Sequence, residues 1–247
     1  MQQVDVDLVE DYKRDGYVVR RGVLELSRVE ELRREARRLL EMCTKESERY
    51  AARIEWEVDH LAEPYRAGMK GVIRKLEPVS DLSPPFAELA RDPAVTEPAE
   101  RIFGEPVELF EDKLNLKLPG GSPYPWHQDW SCCWRAHTDE LVTCFIYLDD
   151  ADETNGCLQV VPGSHIGKPI HPFKEGSHFE VDPSCVPQDR ITPVPLNAGD
   201  MICFDSYLLH FSDLNRSTVP RMAIIYTFNP ARLGKINEGR FPADHQP

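Results

Sequence analysis

The sequence has no long apolar run. Its longest, Leu141 to Leu148, is interrupted by Thr143 and falls far short of the roughly 20 residues that span a bilayer. The opening MQQVDVDLVEDYK shows no basic segment followed by an apolar core, so no export signal is expected and a cytoplasmic protein is. Basic clusters are lacking too. Lys and Arg number 29 against 42 Asp and Glu, a formal net charge of −13, which argues against a nucleic-acid partner or an anionic membrane surface. No Cys-x-x-Cys pair occurs among the seven cysteines. An odd number without an export signal predicts free thiols, and adjacent Cys132 and Cys133 would close a strained ring if oxidised together. No repeat, low-complexity tract or linker composition divides the 247 residues. One domain over 1–247 is therefore expected.

What is present changes character along the chain. Residues 1–105 read as helix-rich. Asp15-Gly16 marks a turn before the β-prone Tyr17-Val18-Val19. Ser27, with Glu30 three residues on, reads as a capping box. Behind it Val29, Leu32, Ala36, Leu39, Leu40 and Cys43 repeat at the helical period. Gly71 to Leu76 reads as a strand. Ser83-Pro84-Pro85 and Asp92-Pro93 each open a helix, the second ending before Gly104.

Residues 106–230 read as β-rich, followed by a tail, 231–247. Alternation runs over Val107–Leu118, and apolar strands follow at Leu141–Leu148, Leu158–Val161, Met201–Phe204 and Met222–Phe228. Turn clusters such as Thr154-Asn155-Gly156 and Asn197-Ala198-Gly199-Asp200 separate them. This pattern predicts a β-sandwich or barrel, buttressed by the N-terminal helices. On the first strand Glu111, Lys113, Asn115 and Lys117 share one face. Lys, Asn and Lys in succession favour a wall facing an anion; a solvated strand face is the alternative.

Three His-x-carboxylate triplets carry the chemistry: His127-Gln128-Asp129, His137-Thr138-Asp139 and His178-Phe179-Glu180. Residues i and i+2 of a strand share a face, so such a pair can take two adjacent positions on one metal. A distant His completes a two-His, one-carboxylate set with open positions, suited to Fe(II). His127 and Asp129 lie between Trp126 and Trp130, while the other two triplets sit in polar, loop-like surroundings. His210 follows the strand Met201–Phe204 and supplies the third ligand. Arg221 opens the next strand, and its planar fork can hold the distal carboxylate of 2-oxoglutarate. Arg216, in a turn, is its rival. His165 reads as a structural turn residue.

Trp126-His127-Gln128-Asp129, the segment Glu153 to His165, the Ala198-Gly199-Asp200 turn, and His210 with Arg221 together resemble the phytanoyl-CoA dioxygenase family, over roughly residues 8 to 229. That resemblance implies a double-stranded β-helix, or jelly roll, with iron at its mouth. It implies Fe(II), 2-oxoglutarate and O₂ as cofactor and cosubstrates. His127, Asp129 and His210 resemble the iron ligands and Arg221 the cosubstrate anchor. Ser212, Thr143 and Asn115 match cosubstrate contacts, and Lys113 is a further candidate. Trp130 and Trp134 are candidates for the substrate pocket.

Halogenating relatives replace the carboxylate ligand by a small residue. Asp129 therefore favours hydroxylation, or another C–H oxidation, of a small molecule, with release of succinate and CO₂. The charge of −13 argues against a polyanionic CoA thioester. A metal-dependent hydrolase or isomerase using Zn or Mn is the alternative, followed by a non-catalytic binding protein. Segments 60–80, 130–140 and 166–190, long and irregular, are expected to rim the pocket.

Overall fold

A computed structural model describes residues 8–61, 65–135 and 137–237. Eleven strands form two antiparallel sheets among them. In chain order the elements are α1 (Leu8–Asp15), β1 (Tyr17–Arg20), α2 (Leu26–Lys45), β2 (Ile54–Trp56), β3 (Ile73–Leu76), α3 (Pro84–Leu89) and α4 (Pro93–Phe103). The β-rich part follows as β4 (Val107–Lys117), β5 (Tyr124–His127), β6 (Val142–Tyr147), β7 (Leu158–Val160), β8 (Thr192–Val194), β9 (Met201–Asp205), β10 (His210–Ser212) and β11 (Arg221–Pro230). The larger sheet has the order β1-β9-β6-β11-β4-β3-β2, and the smaller β5-β10-β7-β8. This is the mainly β, jelly-roll arrangement with helices on one face that the sequence led us to expect.

The larger sheet is covered on both faces, which explains its unbroken apolar strands. All six residues of β6 are buried. Cys144 and Ile146 point outward, into a core shared with Val29, Leu32, Ala36, Leu39 and Cys43 of α2. Phe145 and Tyr147 point inward, into a second core with Leu158, Val160, Phe204 and Ile225. The cavity described below opens between the two sheets.

Ser83 caps α3 through the Phe86 amide at 3.4 Å, and Asp92 caps α4 through Ala94 at 2.9 Å. Gly104 closes α4 at φ +73°, a left-handed position glycine takes without strain. The capping box at Ser27 does not form. α2 starts earlier, at Leu26, with Glu25 at the cap position and no side-chain capping bond. Buried Leu24 bonds its amide to the Gly199 carbonyl at 3.1 Å, which fixes where the chain leaves the sheet, and Glu30 pairs with Arg33 instead. His165 is buried, with Nε2 3.2 Å from the Lys13 carbonyl. A Cβ on Gly16, at φ +83°, would meet its Nδ1 at 2.5 Å. Cys43, Cys144, Cys157, Cys185 and Cys203 are free; the side chains of Cys132 and Cys133 lie outside the described residues. Beyond β11 the described tail is a short 3₁₀ turn, Ala231–Leu233, and residues to 237. The rest of the tail lies outside the description.

Candidate metal and cosubstrate site

β5 ends on His127 and β10 begins on His210, and the two are paired across the strands. The imidazole centroids stand 4.0 Å apart. Asp129 lies just beyond β5, where the chain enters a π-helical turn over Trp130–Trp134. Its carboxylate is therefore brought to the imidazoles by a turn rather than by strand alternation. Gln128 locks that turn. It is fully buried, donates to the carbonyls of Tyr207 (2.7 Å) and Pro169 (2.9 Å), and accepts from the His171 amide at 3.1 Å.

One ligand atom from each of His127, Asp129 and His210 lies within 4.8 Å of the others. Asp129 Oδ1 is 3.6 Å from His127 Nε2 and 3.8 Å from His210 Nε2. Each imidazole turns its Nδ1 to a backbone carbonyl, that of Pro125 at 2.7 Å and of Leu208 at 2.9 Å. Those acceptors place the ring proton on Nδ1, leaving both Nε2 lone pairs aimed at the shared centre. Burial, and then the neighbouring His210, hold the His127 pKa well below its ordinary value. A neutral imidazole is the metal-binding form. Thr143 Oγ1 donates to Asp129 Oδ2 at 3.3 Å and lies 3.2 Å from Thr227 Oγ1.

The three residues line a cavity of about 450 Å³. Arg221 lines its far end at the start of β11, opposite Lys117 on β4. The guanidinium is 2% exposed, lies 5.6 Å from the Tyr147 ring centroid, and donates through one Nη to the Gly156 carbonyl. Its Nε has no hydrogen-bond partner, nor does the buried Oδ1 of Asn115, which also lines the cavity. Gly156 has to be glycine here: at φ +78° a Cβ would meet the Asp213 carbonyl oxygen at 2.2 Å. Arg216, the rival, pairs with Asp213 at 2.6 Å on the surface.

Thr143, Asn115, Ser212 and Lys113 also line the cavity. Lys117 is 1% exposed, not a solvated strand residue. Its Nζ donates to Ser212 Oγ at 2.8 Å and to the carbonyls of Ser212 (3.2 Å) and Asp213 (2.5 Å). Burial, then Arg221 and Arg74, depress its pKa well below the lysine range.

Trp130 and Trp134 are elsewhere. Trp134, 1% exposed, packs on Phe110 and Leu141 and donates to Glu111 Oε2 at 3.2 Å. Trp130 stacks on Tyr207 at 4.7 Å and donates to the Thr138 carbonyl at 2.9 Å. The π-helical turn carries both indoles away from the metal, and none of residues 130–140 lines the cavity among those described. His137 is exposed, and Asp139 pairs with Lys168 at 2.5 Å. His178 and Phe179, by contrast, line the cavity, and Phe179 stacks on His127 at 4.4 Å. Glu55, His60, Arg74 and Lys75 line the cavity as well. Segments 60–80 and 166–190 thus contribute to the rim as expected. The sequence carried no local signal for Phe179, Arg74 or Gln128 as site residues.

Comparison with known proteins shows the family and the fold. A family model described as phytanoyl-CoA dioxygenase matches residues 12–223. The methylphosphonate hydroxylase of Gimesia maris is 34% identical over 142 residues, 57% of this chain and 52% of that protein. The chain thus spans about half the length of that relative. The ectoine dioxygenase of Bordetella bronchiseptica is 28% identical over 92% of this chain and 75% of its own length. The crystal structure of EctD from S. alaskensis with 2-oxoglutarate and 5-hydroxyectoine superposes with a TM-score of 0.71, at 23% identity, over 97% of this chain and 81% of that one.

Proposed function

Because the chain belongs to the phytanoyl-CoA dioxygenase family, we propose that it is an Fe(II)- and 2-oxoglutarate-dependent dioxygenase that hydroxylates, or otherwise oxidises, an unactivated C–H bond of a small molecule. One observation carries the reading. Two buried imidazole Nε2 atoms and a carboxylate oxygen converge at one end of a cavity whose other end holds a buried guanidinium with an unpartnered N–H.

The residues fit the groups this requires. Two neutral imidazoles and one carboxylate are the donor set of non-haem Fe(II) sites with open positions. When bound, the iron supplies the redox chemistry that couples O₂ and 2-oxoglutarate, giving succinate and CO₂, to oxidation of the substrate. The chain's own contribution is positional. His127, Asp129 and His210 hold the metal on the strand-end side. The carbonyls of Pro125 and Leu208 fix the imidazole tautomers, and Thr143 steadies the carboxylate. Arg221 pairs with the distal carboxylate of the cosubstrate in a buried, low-dielectric setting. Lys117 donates to the Ser212 oxygen, which leaves the Ser212 hydroxyl hydrogen for that same carboxylate. Asn115 presents an amide beside it, and Lys113 stands at the metal end.

No described helix is long and apolar enough to cross a membrane, and a cytoplasmic setting with a small-molecule partner accords with the acidic surface. Anaerobic titration of the metal-free protein with Fe(II) and 2-oxoglutarate tests the reading. A visible metal-to-ligand charge-transfer band is expected. His127→Ala and His210→Ala should abolish it, and Arg221→Ala should weaken cosubstrate affinity. Folded protein that binds Fe(II) but develops no band would shift the assignment to a metal-dependent hydrolase or isomerase.

A further inference from the structure

Asp129 is the one metal residue that no strand holds. His127 ends β5 and His210 begins β10, whereas Asp129 stands at the head of the π-helical turn Trp130–Trp134. Its position therefore depends on what fixes that turn. Gln128 secures the near end, together with the Trp130 amide, which donates to the Ser206 carbonyl at 3.0 Å. Trp134 secures the far end. Its buried indole fills a small apolar cluster separate from the two main cores.

Three distant stretches of chain wall that cluster. Phe110 of β4 meets the indole edge-on, with ring centroids 5.6 Å apart. Leu141 comes from the segment that leads to Thr143, the donor to Asp129 Oδ2. Ile236 comes from the tail beyond β11. The tail is in turn tied to the other two walls. Asn237 Nδ2 donates to the Phe110 carbonyl at 2.7 Å. Arg232 bridges Glu105, ahead of β4, and Glu140, beside Leu141, at 2.5 Å each. The Ala231 amide donates to the Pro106 carbonyl at 2.8 Å, and buried Asn229 donates to the Gly234 carbonyl at 3.0 Å. The Arg232 pairs are partly exposed and contribute little singly. Packing of Ile236 and the Asn237 hydrogen bond carry the connection.

A carboxylate on a turn is only as fixed as the turn. Where the turn moves, only a fraction of molecules holds the carboxylate oxygen ready, and apparent metal affinity falls by that fraction. We propose that residues 232–237 form a clasp that keeps Asp129 in its metal-binding position, acting through Ile236 and Trp134. This rests on the metal-site reading and adds positioning residues to it. None of residues 232–237 lines the cavity, so their effect reaches the metal through Asp129.

Calorimetric titration of the metal-free protein with Ni(II) tests the clasp, with melting temperature read on the same samples. Ile236→Ala trims the wall against Trp134. It should weaken Ni(II) binding about tenfold, the low end of what partners of metal ligands contribute. Asn237→Ala should act in the same direction. Ile236→Val should retain most of the affinity, and Lys235→Ala, exposed next to it, all of it. The visible d–d bands of the Co(II) form should change in Ile236→Ala, because a displaced carboxylate alters the coordination. Leu39→Ala, in the outer core, is the structural control. It should lower the melting temperature and leave Ni(II) affinity and the Co(II) bands as in wild type. The proposal is overturned if Ile236→Ala and Asn237→Ala melt lower yet bind Ni(II) as wild type does, or if Leu39→Ala weakens binding as much as they do. His127→Ala separates the two failures. Ni(II) binding lost there but intact in Ile236→Ala keeps the metal site and rejects the clasp. Ni(II) binding that survives His127→Ala unchanged rejects the site and the clasp with it.

Discussion

Thr143 and Gln128 act on the metal residues without facing the metal centre. Thr143 Oγ1 orients Asp129 from the floor of the cavity. Thr143→Val keeps the shape and removes the hydroxyl. Partners of this kind are worth about 10–100-fold in metal affinity, so Fe(II) binding should weaken by that order while thermal stability stays close to wild type. Gln128 is different, because its three hydrogen bonds tie Asp129's turn to Tyr207, Pro169 and His171. Gln128→Leu would strand the buried Tyr207 carbonyl and the half-buried Pro169 carbonyl and His171 amide, at roughly 1 kcal/mol each. Urea unfolding should show a loss of about 3 kcal/mol, accompanied by weaker Fe(II) binding. A stable variant with unchanged metal affinity would deny Gln128 this role. At this scale the sequence was most informative. His127, Asp129, His210 and Arg221 announce themselves by residue type and short spacing. Gln128 did not, because its partners come from segments 41 to 79 residues away.

β4 shows how one element serves two environments. Its inward face carries Lys113 and Asn115 to the cavity and Lys117 to Ser212, and its outward face carries Leu114 into the helical core. Asp112 also points outward and accepts the amides of Val79 at 2.8 Å and Ser80 at 2.7 Å. Burial nevertheless dominates and raises its pKa to about 6, with Asp81 adding to the rise. The folded protein then keeps a proton that the unfolded chain, with an ordinary carboxyl near 3.8, releases earlier. This contribution to stability is full below about pH 4 and is lost as pH rises through 6, about 3 kcal/mol for a shift of this size. Asp112→Asn should flatten the dependence of urea stability on pH between 4 and 6. An unchanged slope would mean that Asp112 titrates normally. Elements were only partly legible. The proline-led starts of α3 and α4 follow from local chemistry. The start of α2 does not, since a contact with Gly199, far along the chain, outweighs the capping signal at Ser27. The tryptophans failed for a related reason. Strand alternation stops at His127, and the helical turn that follows rotates both indoles out of the cavity.

In the whole molecule, stability and the site are held by different layers. The outer core joins α2 to the large sheet, while the metal residues sit between the two sheets. Arg74, Lys75 and Glu55 reach the cavity because the β2–β3 pair adds to the edge of β4, a long-range pairing with no signature in sequence spacing. This separation of layers has a measurable consequence. Leu39 is fully buried in the outer core, and Leu39→Ala should cost about 2–5 kcal/mol. Metal and cosubstrate bind the folded state alone and add stability by mass action, about 2.7 kcal/mol at a hundredfold excess over Kd. Leu39→Ala should therefore melt lower than wild type yet gain the same increment from Ni(II) with 2-oxoglutarate. Arg221→Ala should lose the cosubstrate part of that increment and keep the metal part. Chelation should lower the melting temperature without unfolding the protein, because neither apolar core includes a metal residue. If the increment vanished in Leu39→Ala at a temperature where the variant is folded, the two layers would be coupled and the site would depend on helical packing.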